Sequence, residues 1–325
     1  MEMIKLNVAM GPHIHDGSRA NKIMIGYLVA LAPAAIWSAY IYGVAGIRSL
    51  ILAAGSAVLW EWLARIIMKR NSTLHDLSAL VEGFLIGMIL PPNVSWWIVI
   101  ITTFFAIIIA KQIFGGIGYY PFNPVLIGIA IVSVSWPNRL LSHSTLSDFS
   151  LGFNPVEPLW AFKAYGQEAA NAFSRLDLLL GHQVGGFGTG AVLLLAIGAL
   201  YLLIRGFISA SVFFSYLLGV YMFQGMFYLA NSSVNVHPDF YILGGMTFFA
   251  ATFLASNFTT CPVNPVARII YGAGAGLLTV LIRKYGVFPD GTIFAILIMN
   301  LFHPLIDRIK KPVTGLDVES LQFES

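Results

Sequence analysis

The chain has 325 residues, of which 58% are hydrophobic and 10% charged, and its mean hydropathy is +0.79. Because a soluble domain carries about 25% charged residues, this composition excludes a soluble globular protein and predicts an integral membrane protein. The net charge of +3 comes without a basic cluster suited to nucleic acid, and the single cysteine, Cys261, excludes an internal disulfide and a self-contained four-cysteine zinc or iron–sulfur site.

Ten apolar segments are predicted to cross the membrane as helices, because backbone polar groups in lipid must be satisfied within the segment. In chain order they are 23–43, 47–68, 75–91, 96–115, 123–137, 187–205, 208–230, 239–257, 267–285 and 290–309. The residues before the first segment lack the apolar core and cleavage site of a signal peptide, so we expect that segment to be retained.

One long hydrophilic stretch, 138–186, separates the fifth predicted span from the sixth. Five spans on each side give the two halves opposite orientations, which is the arrangement of an inverted repeat. The sequence therefore predicts an all-α integral membrane protein of about ten transmembrane helices in two inverted five-helix repeats. Residues 1–137 would form the first repeat with an N-terminal arm, 138–186 an extracytoplasmic loop, and 187–325 the second repeat with a short cytoplasmic tail.

The positive charges predict the orientation of these spans. Most of the eighteen Lys and Arg residues lie in segments that face the cytoplasm if the N-terminus is cytoplasmic. We therefore expect a multi-pass protein with both termini in the cytoplasm.

The stretch "FGGIGYYPFNPVLIG", at 114–128, interrupts two apolar segments with residues that break helices. Gly115, Gly116 and Gly118 permit close backbone approach or positive φ, and Pro124 suits the first turn of a helix that Asn123 would cap. Two interpretations remain open. The stretch is either a tight turn with close helix packing or a broken helix that lines a ligand site.

A second polar stretch, "SNFTTCPVNPVAR" at 256–268, lies between two apolar segments of the other half. It concentrates Asn257, Thr259, Thr260 and Asn264 at one place. A capped re-entrant turn and a cofactor or ion site both explain this composition. Since glycine and proline interrupt both halves, the pattern predicts a site at the interface between the repeats.

Charged residues and histidines add three expectations. Glu82 lies within a predicted span, where a charge costs about 2.5 kcal/mol or more, so we expect it on an ion pathway, although pairing with a cation of another subunit would also explain it. Glu61 and Arg65 are predicted to form an i,i+4 pair. No histidine lies near the middle of a span, which disfavours a bis-histidine haem, and His13 and His15 fit a surface arm better than a metal site.

Several stretches together resemble the RnfD/NqrB family, whose members are membrane subunits of the Rnf complex and of the Na+-translocating NADH:quinone reductase. They are "GPHIHDG", "DLSALVEGFLIGMILPPNVSWW", "AKQIFGGIGYYPFNPVLIGIAIVSVSWP", "GAGAGLLTVLIRKYGVFPDGTIFAILIMN" and "HPLIDR". The resemblance extends over nearly the whole chain.

This resemblance implies an electron-transfer subunit of a bacterial or archaeal cytoplasmic-membrane complex that couples ferredoxin and NAD redox chemistry to Na+ or H+ translocation. It implies a fold like that of urea transporters, partners among the other membrane and peripheral subunits, and a bound flavin, FMN or riboflavin. The subunit would not be an enzyme alone. The two polar stretches would cradle the flavin with close backbone contacts and amide donors.

One departure from the family concerns flavin attachment. The family resemblance implies FMN joined by a phosphoester to a threonine in a motif like S/T-G-A-T-P-L, but this loop reads "GFNPVEPLW", with Glu157 at the threonine's place. Thr189 in "GTGAV" is a weak alternative, and Ser147 and Ser150 lack the flanking residues of the motif. We therefore expect non-covalent flavin binding.

Two further interpretations stay open. The same fold could serve a channel or carrier subunit that conducts a small solute or cation without redox chemistry. It could also be a structural scaffold that has lost its flavins.

Overall fold

The computed structural model describes residues 20–70, 73–140 and 156–309. The predicted surface arm with His13 and His15, the loop hydroxyls of Ser147 and Ser150, and the predicted cytoplasmic tail lie outside the described residues. Within the described ranges every regular element is a helix and none is a strand. This confirms the predicted all-α class.

Thirteen helices are labelled here in chain order, leaving aside two single turns. They are α1 (Ala20–Ile67), α2 (Ser78–Ile89), α3 (Trp96–Phe104, continued as a π-helix over Phe105–Gln112), α4 (Pro124–Ser135), α5 (Pro158–Tyr165), α6 (Gln167–Asn171), α7 (Arg175–Leu180), α8 (Val192–Ile204), α9 (Ala210–Ala230), α10 (Pro238–Leu243), α11 (Thr247–Phe249, continued as a π-helix over Ala250–Ala255), α12 (Pro265–Tyr285) and α13 (Thr292–Ile306).

The 48 residues of α1 form two antiparallel helices rather than one. Gly43 has φ +58° and ψ −147°, a conformation that glycine adopts without a steric penalty. A straight helix of this length would extend about 72 Å. Yet Asn21 Nδ2 donates to the His75 carbonyl at 2.8 Å, so the chain returns to the level at which it started. The break therefore lies at the boundary predicted between segments 23–43 and 47–68.

Three described helices are long and apolar enough to cross a membrane by length and composition, namely α1, α9 and α12. Shorter apolar helices of 10–17 residues are α2, α3 with its π-helical continuation, α4, α8 and α13. Helical residues occur in all ten predicted segments. Because several of these helices are short, ten complete crossings stay a prediction.

Close packing between small residues joins the helices within each half. In the first half, Gly83 and Gly87 of α2 lie directly against Ala53 and Leu50 of α1, leaving no room for a side chain. In the second half, Gly276 of α12 lies against the backbone of α9 in the same way. Small residues let helices approach closely in lipid, where no hydrophobic force drives them together. Helices α4 and α13 then bring the two halves into contact.

Two predicted segments differ in the structure. Segment 239–257 is not one continuous helix, because the chain breaks between α10 and α11 at Gly245, whose φ is +67°. Leu159 and the Asp290 carboxylate occupy the space that a side chain at Gly245 would need. The stretch 138–186 is also more ordered than a simple loop, since α5, α6 and α7 lie within its described part.

Candidate functional site

The same local structure occurs at the start of α4 and of α12. Asn123 and Asn264 cap these helices, each accepting a hydrogen bond at 3.1 Å from the backbone amide two residues later, and a proline occupies the first helical position in both. A π-helix precedes each cap by a short loop, at Phe105–Gln112 and at Ala250–Ala255. Such π-helical turns occur frequently at functional sites.

These two polar stretches contact each other. Tyr120 Oη donates to Thr259 Oγ1 at 3.0 Å, and Asn123 Nδ2 donates to the Leu254 carbonyl at 3.2 Å. The structure thus brings "GGIGYYPFNP" and "SNFTTCPVNP" together at one end of the helices. We call this contact region the paired-loop site. Its role in binding a cofactor stays a prediction.

The three glycines of the first loop fit the requirement for positive φ, with values of +121° at Gly115, +109° at Gly116 and +85° at Gly118. At Gly116 the Arg65 guanidinium lies 2.7 Å from the position that a side-chain carbon would take. These glycines therefore serve the loop conformation and its packing directly.

Most of the predicted polar side chains in the paired-loop site already have partners within the fold. Asn257 Oδ1 accepts from the backbone amide and the hydroxyl of Thr259, at 3.2 and 3.0 Å. Asn264 Nδ2 donates to the Ile309 carbonyl at 2.6 Å. Thr260 differs, because its buried hydroxyl has no hydrogen-bond partner among the described residues.

Other buried polar atoms near this site also lack partners in the described part of the chain. They are Tyr27 Oη and Asn300 Nδ2. Tyr27 packs against Phe253, the neighbour of Leu254, with ring centroids 5.9 Å apart, and Tyr271 Oη donates to Asn300 Oδ1 at 2.6 Å. An unpaired buried polar group costs about 1–3 kcal/mol, so such a group in a native fold calls for a ligand or water as partner.

Gln112, at the end of the first π-helix, is fully buried and neither amide atom has a hydrogen-bond partner among the described residues. Nothing in the sequence pattern distinguishes it beyond its position beside the glycine loop. A side-chain amide offers two N–H donors and one carbonyl acceptor. Gln112 therefore adds unpaired donors and an unpaired acceptor to the buried polar atoms beside the glycine loop.

Lys111 forms the centre of a buried charged cluster, called the lysine cluster. Its Nζ lies 3.1 Å from Glu61 Oε2 and 3.1 Å from Glu82 Oε2, and it donates to Ser78 Oγ at 2.6 Å. Lys111 is completely buried, and Glu61 and Glu82 are 1% and 7% exposed. Two carboxylates therefore share one cation, and Glu82 Oε2 receives no hydrogen bond of good geometry from it.

The predicted pair between Glu61 and Arg65 is wrong. Glu61 binds Lys111 and accepts a hydrogen bond from Thr73, whereas Arg65 turns to the glycine loop at Gly116. Helical spacing permitted the local pair, but the packing of α1 against the π-helix places the Lys111 ammonium 3.1 Å from Glu61 Oε2 instead. Glu82, which the sequence predicts to lie on an ion pathway, belongs to this same cluster through its contact with Lys111.

A second buried cation, Arg283, lies near the other end of the fold. Its guanidinium donates to the Tyr241 carbonyl, to Thr247 Oγ1 and to Asp290 Oδ1 at 2.7, 2.7 and 2.9 Å. The other carboxylate oxygen of Asp290 accepts from the Met246 amide at 2.8 Å. We call this group the arginine cluster. Its cation and its carboxylate are both hydrogen-bonded.

A cavity with about 580 Å³ of empty space, part of it open to solvent, lies beside the arginine cluster. Ile89 and Ser133 line this interface cavity from the first half, and Asp290 lines it from the second. Glu157 and Thr189 complete its wall. None of the nine predicted cofactor-binding residues of the paired loops lines it, whereas the weak candidate Thr189 does.

The two carboxylates of the interface cavity have opposite protonation tendencies. Burial, reinforced by the nearby Asp290 carboxylate, raises the pKa of Glu157 to about 7 against a smaller lowering by Arg283. Burial alone would also raise the pKa of Asp290, but Arg283 and the hydrogen bonds from Thr292 and Met246 hold that pKa below its ordinary value. Asp290 therefore stays charged near neutral pH, while Glu157 exchanges a proton there.

The lysine cluster and the interface cavity lie at opposite ends of α2. Ser78 and Glu82 belong to its first turns, whereas Ile89, its last residue, lines the cavity. A helix of this length extends about 18 Å. Along α2 the two sites are therefore separated by about 10–17 Å.

Comparison with known proteins places the chain among described families. The sequence model of the NQR2, RnfD, RnfE family matches residues 7–315. The chain is 34% identical over 315 residues to the D subunit of the Na(+)-translocating ferredoxin:NAD(+) oxidoreductase complex of Acetobacterium woodii, covering 96% of this chain and 95% of that one.

Two other relatives are similar over the same extent. The D subunit of the Proton-translocating ferredoxin:NAD(+) oxidoreductase complex of Clostridium ljungdahlii is 32% identical over 313 residues, with 94% of this chain and 95% of that one covered. The D subunit of the Ion-translocating oxidoreductase complex of Pectobacterium atrosepticum is 32% identical over 342 residues, with 94% and 97% covered. The names of the three relatives state different transported ions: Na+ for the first, protons for the second and an unspecified ion for the third.

Proposed function

The chain belongs to the NQR2, RnfD, RnfE family, and from that premise we propose that it is the RnfD-type electron-transfer subunit of an Rnf-type complex and that it holds a flavin. The complex would couple electron exchange between ferredoxin and NAD to translocation of Na+ or H+. The names of two relatives of this chain describe such coupling for the complexes to which those relatives belong. The observation that carries the flavin is the paired-loop site, where buried polar groups have no partner in the described chain.

A flavin ring fits the chemistry of the paired-loop site. The ring presents several nitrogen and oxygen atoms at one edge and an apolar face, so it needs donors and acceptors on one side and hydrocarbon on the other. Thr260 and Tyr27 supply free hydroxyls, and Tyr27 packs against Phe253 with ring centroids 5.9 Å apart. Such a flavin, FMN or riboflavin, would supply electron transfer, and this chain would hold it non-covalently and exclude water.

The lysine cluster supports an ion route in the same subunit. Two carboxylates with one ammonium carry an excess negative charge in a buried place, which a transported cation or proton would neutralise. Glu82 is the more available carboxylate, because its Oε2 lacks a well-aligned hydrogen bond while Glu61 is held by Lys111 and Thr73. We therefore propose Glu82 as an ion-binding residue.

The internal packing supports two inverted repeats. In each half a buried cation lies on the fourth predicted segment, Lys111 in the first half and Arg283 in the second. Helices α4 and α13 meet between the halves. We propose ten membrane crossings in the cytoplasmic membrane, with both termini inside and the interface cavity towards the outer side.

Thr260→Val tests the flavin assignment with little risk to folding. Removing a buried hydroxyl without a partner is neutral or stabilising for the empty fold, so a loss of flavin would report ligand binding. The matched control is Thr252→Val on the neighbouring π-helix, whose hydroxyl is satisfied by the Phe248 carbonyl at 2.9 Å.

The measurement is the flavin content of the complex purified through a tag on this subunit. We expect Thr260→Val to lose flavin while assembly is unchanged, and Thr252→Val to retain it. Equal flavin content in both variants and the unmodified complex would contradict the site. A complex without flavin absorbance that conducts a solute in proteoliposomes would instead favour the channel or carrier function.

A further inference from the structure

Arg65 is a half-buried cation for which the described residues supply no counter-charge. Its buried Nε has no hydrogen-bond partner among them, and its guanidinium pairs with none of their carboxylates. Glu61, one turn earlier on α1, is held by Lys111 and Thr73 instead. Because a buried charged donor without a partner is unfavourable, this guanidinium calls for an anion from outside the described chain.

The glycine loop, residues 115–118, makes room for this guanidinium. Arg65 Nη2 lies 2.7 Å from the position that a side-chain carbon at Gly116 would take, so a residue larger than glycine would displace it. All three glycines of the loop have positive φ, and the amides of Ile117 and Gly118 donate to no acceptor in the described part of the chain. Free amides in such turns form concave sites for anions, and arginine binds phosphate with two parallel donors. The guanidinium and the loop together therefore suit a phosphate.

The helix surface beside Arg65 is apolar and becomes basic where α1 ends. Trp62 and Ile66, one turn apart on α1, are 47% and 54% exposed. Lys69 and Arg70, just beyond the end of α1, are also exposed. This order matches a phospholipid, whose acyl chains meet apolar side chains while its headgroup meets the basic residues at the end of a helix. A soluble anion would use the cations but leave the apolar flank uncovered.

We propose that Arg65 and the glycine loop bind the phosphate of an anionic phospholipid at the membrane surface. The guanidinium and the loop amides hold the phosphate oxygens, and an acyl chain covers Trp62 and Ile66. A headgroup with net negative charge is preferred over phosphatidylcholine, because Lys69 and Arg70 repel the choline ammonium. This site goes beyond the proposed electron-transfer and ion-binding roles and depends on neither.

The test is photochemical labelling of the complex, purified through a tag on this subunit, in phosphatidylcholine nanodiscs that carry a trace of phosphatidylglycerol with a photoreactive acyl chain. We expect the lipid to label the peptide that contains Trp62. Arg65→Gln should lower this labelling about fivefold or more, which is the effect of one basic residue at a membrane surface. The risk to folding is small, because Arg65 has no partner to lose among the described residues. The matched control Arg308→Gln, at an exposed basic residue, should leave the labelling unchanged.

Two further measurements keep the site testable if Arg65→Gln impairs assembly. In the unmodified complex, photoreactive phosphatidylcholine should label the same peptide several-fold less than photoreactive phosphatidylglycerol, because its choline ammonium is repelled. Gly116→Ala should lower the phosphatidylglycerol labelling as Arg65→Gln does, since the added carbon takes the place of the guanidinium without a change of charge.

Three outcomes would overturn the lipid site. The first is equal labelling by the two lipids in the unmodified complex, or labelling that Arg65→Gln leaves unchanged. The second is loss of the labelling on addition of excess inorganic phosphate, which would assign the site to a soluble phosphate. The third is an Arg65→Gln complex that lacks a subunit present in the unmodified one, which would assign Arg65 to an acidic protein partner.

Discussion

The lysine cluster and the arginine cluster place a buried cation at opposite ends of the fold, but they use it differently. Arg283 and Asp290 balance each other in charge, and both oxygens of Asp290 accept hydrogen bonds. Lys111 instead faces two carboxylates, and Glu82 Oε2 has no well-aligned hydrogen bond among the described residues. A charge-balanced pair fixes a structure, whereas a cluster with two carboxylates and one ammonium retains the capacity to bind one more positive charge.

The largest expected effect comes from breaking the charge-balanced pair of Arg283 and Asp290. Arg283→Met leaves Asp290 buried without its cation, and removing one partner of a buried pair costs about 3–5 kcal/mol. We expect little assembled complex, measured as the yield of monodisperse protein and its thermal midpoint. The double variant Arg283→Met with Asp290→Asn should recover part of both, because no unpaired charge remains. The exposed Arg205→Met serves as the control.

If Arg283→Met assembled as well as Arg205→Met, the arginine cluster would not hold the fold together, and the contrast with the lysine cluster would disappear.

A smaller effect on stability, but a large one on function, is expected at the lysine cluster. Glu82→Gln leaves Lys111 paired with Glu61 at 3.1 Å, so the complex should assemble. Ion uptake into proteoliposomes, driven by ferredoxin-linked electron transfer, should fall by about tenfold or more because the binding carboxylate is gone. Glu168→Gln is the control for a change of charge alone. Unchanged uptake in Glu82→Gln with intact electron transfer would contradict the proposed ion route.

The sequence predicted the helical class, the positions of the apolar segments and the boundary between segments 23–43 and 47–68, because hydropathy is a local signal. It also predicted that the two polar stretches share a place, through the similar interruption of both halves. The pairing of Glu61 with Lys111 could not be read in this way. The two residues are fifty positions apart, and a closer partner, Arg65, had suitable helical spacing.

The role of Thr260 within its stretch was equally beyond the sequence. Asn257, Thr259, Thr260 and Asn264 all looked suited to a ligand, but three of them are satisfied by neighbouring groups of the fold. Only the packed structure shows which polar atoms still lack a partner. The interface cavity was missed for a related reason, since its walls come from segments far apart in the chain.

Non-covalent retention of a flavin is tested most directly by the fate of that flavin when the purified complex is denatured. We expect the band of this subunit to stay dark under ultraviolet light on a denaturing gel, while flavin appears in the released fraction. The amount of released flavin should be lower for the Thr260→Val complex. Non-covalent binding follows because Glu157 cannot supply the hydroxyl that a phosphoester needs. A fluorescent band at the mass of this subunit, or an FMN-bearing peptide from it at Thr189, would contradict non-covalent binding.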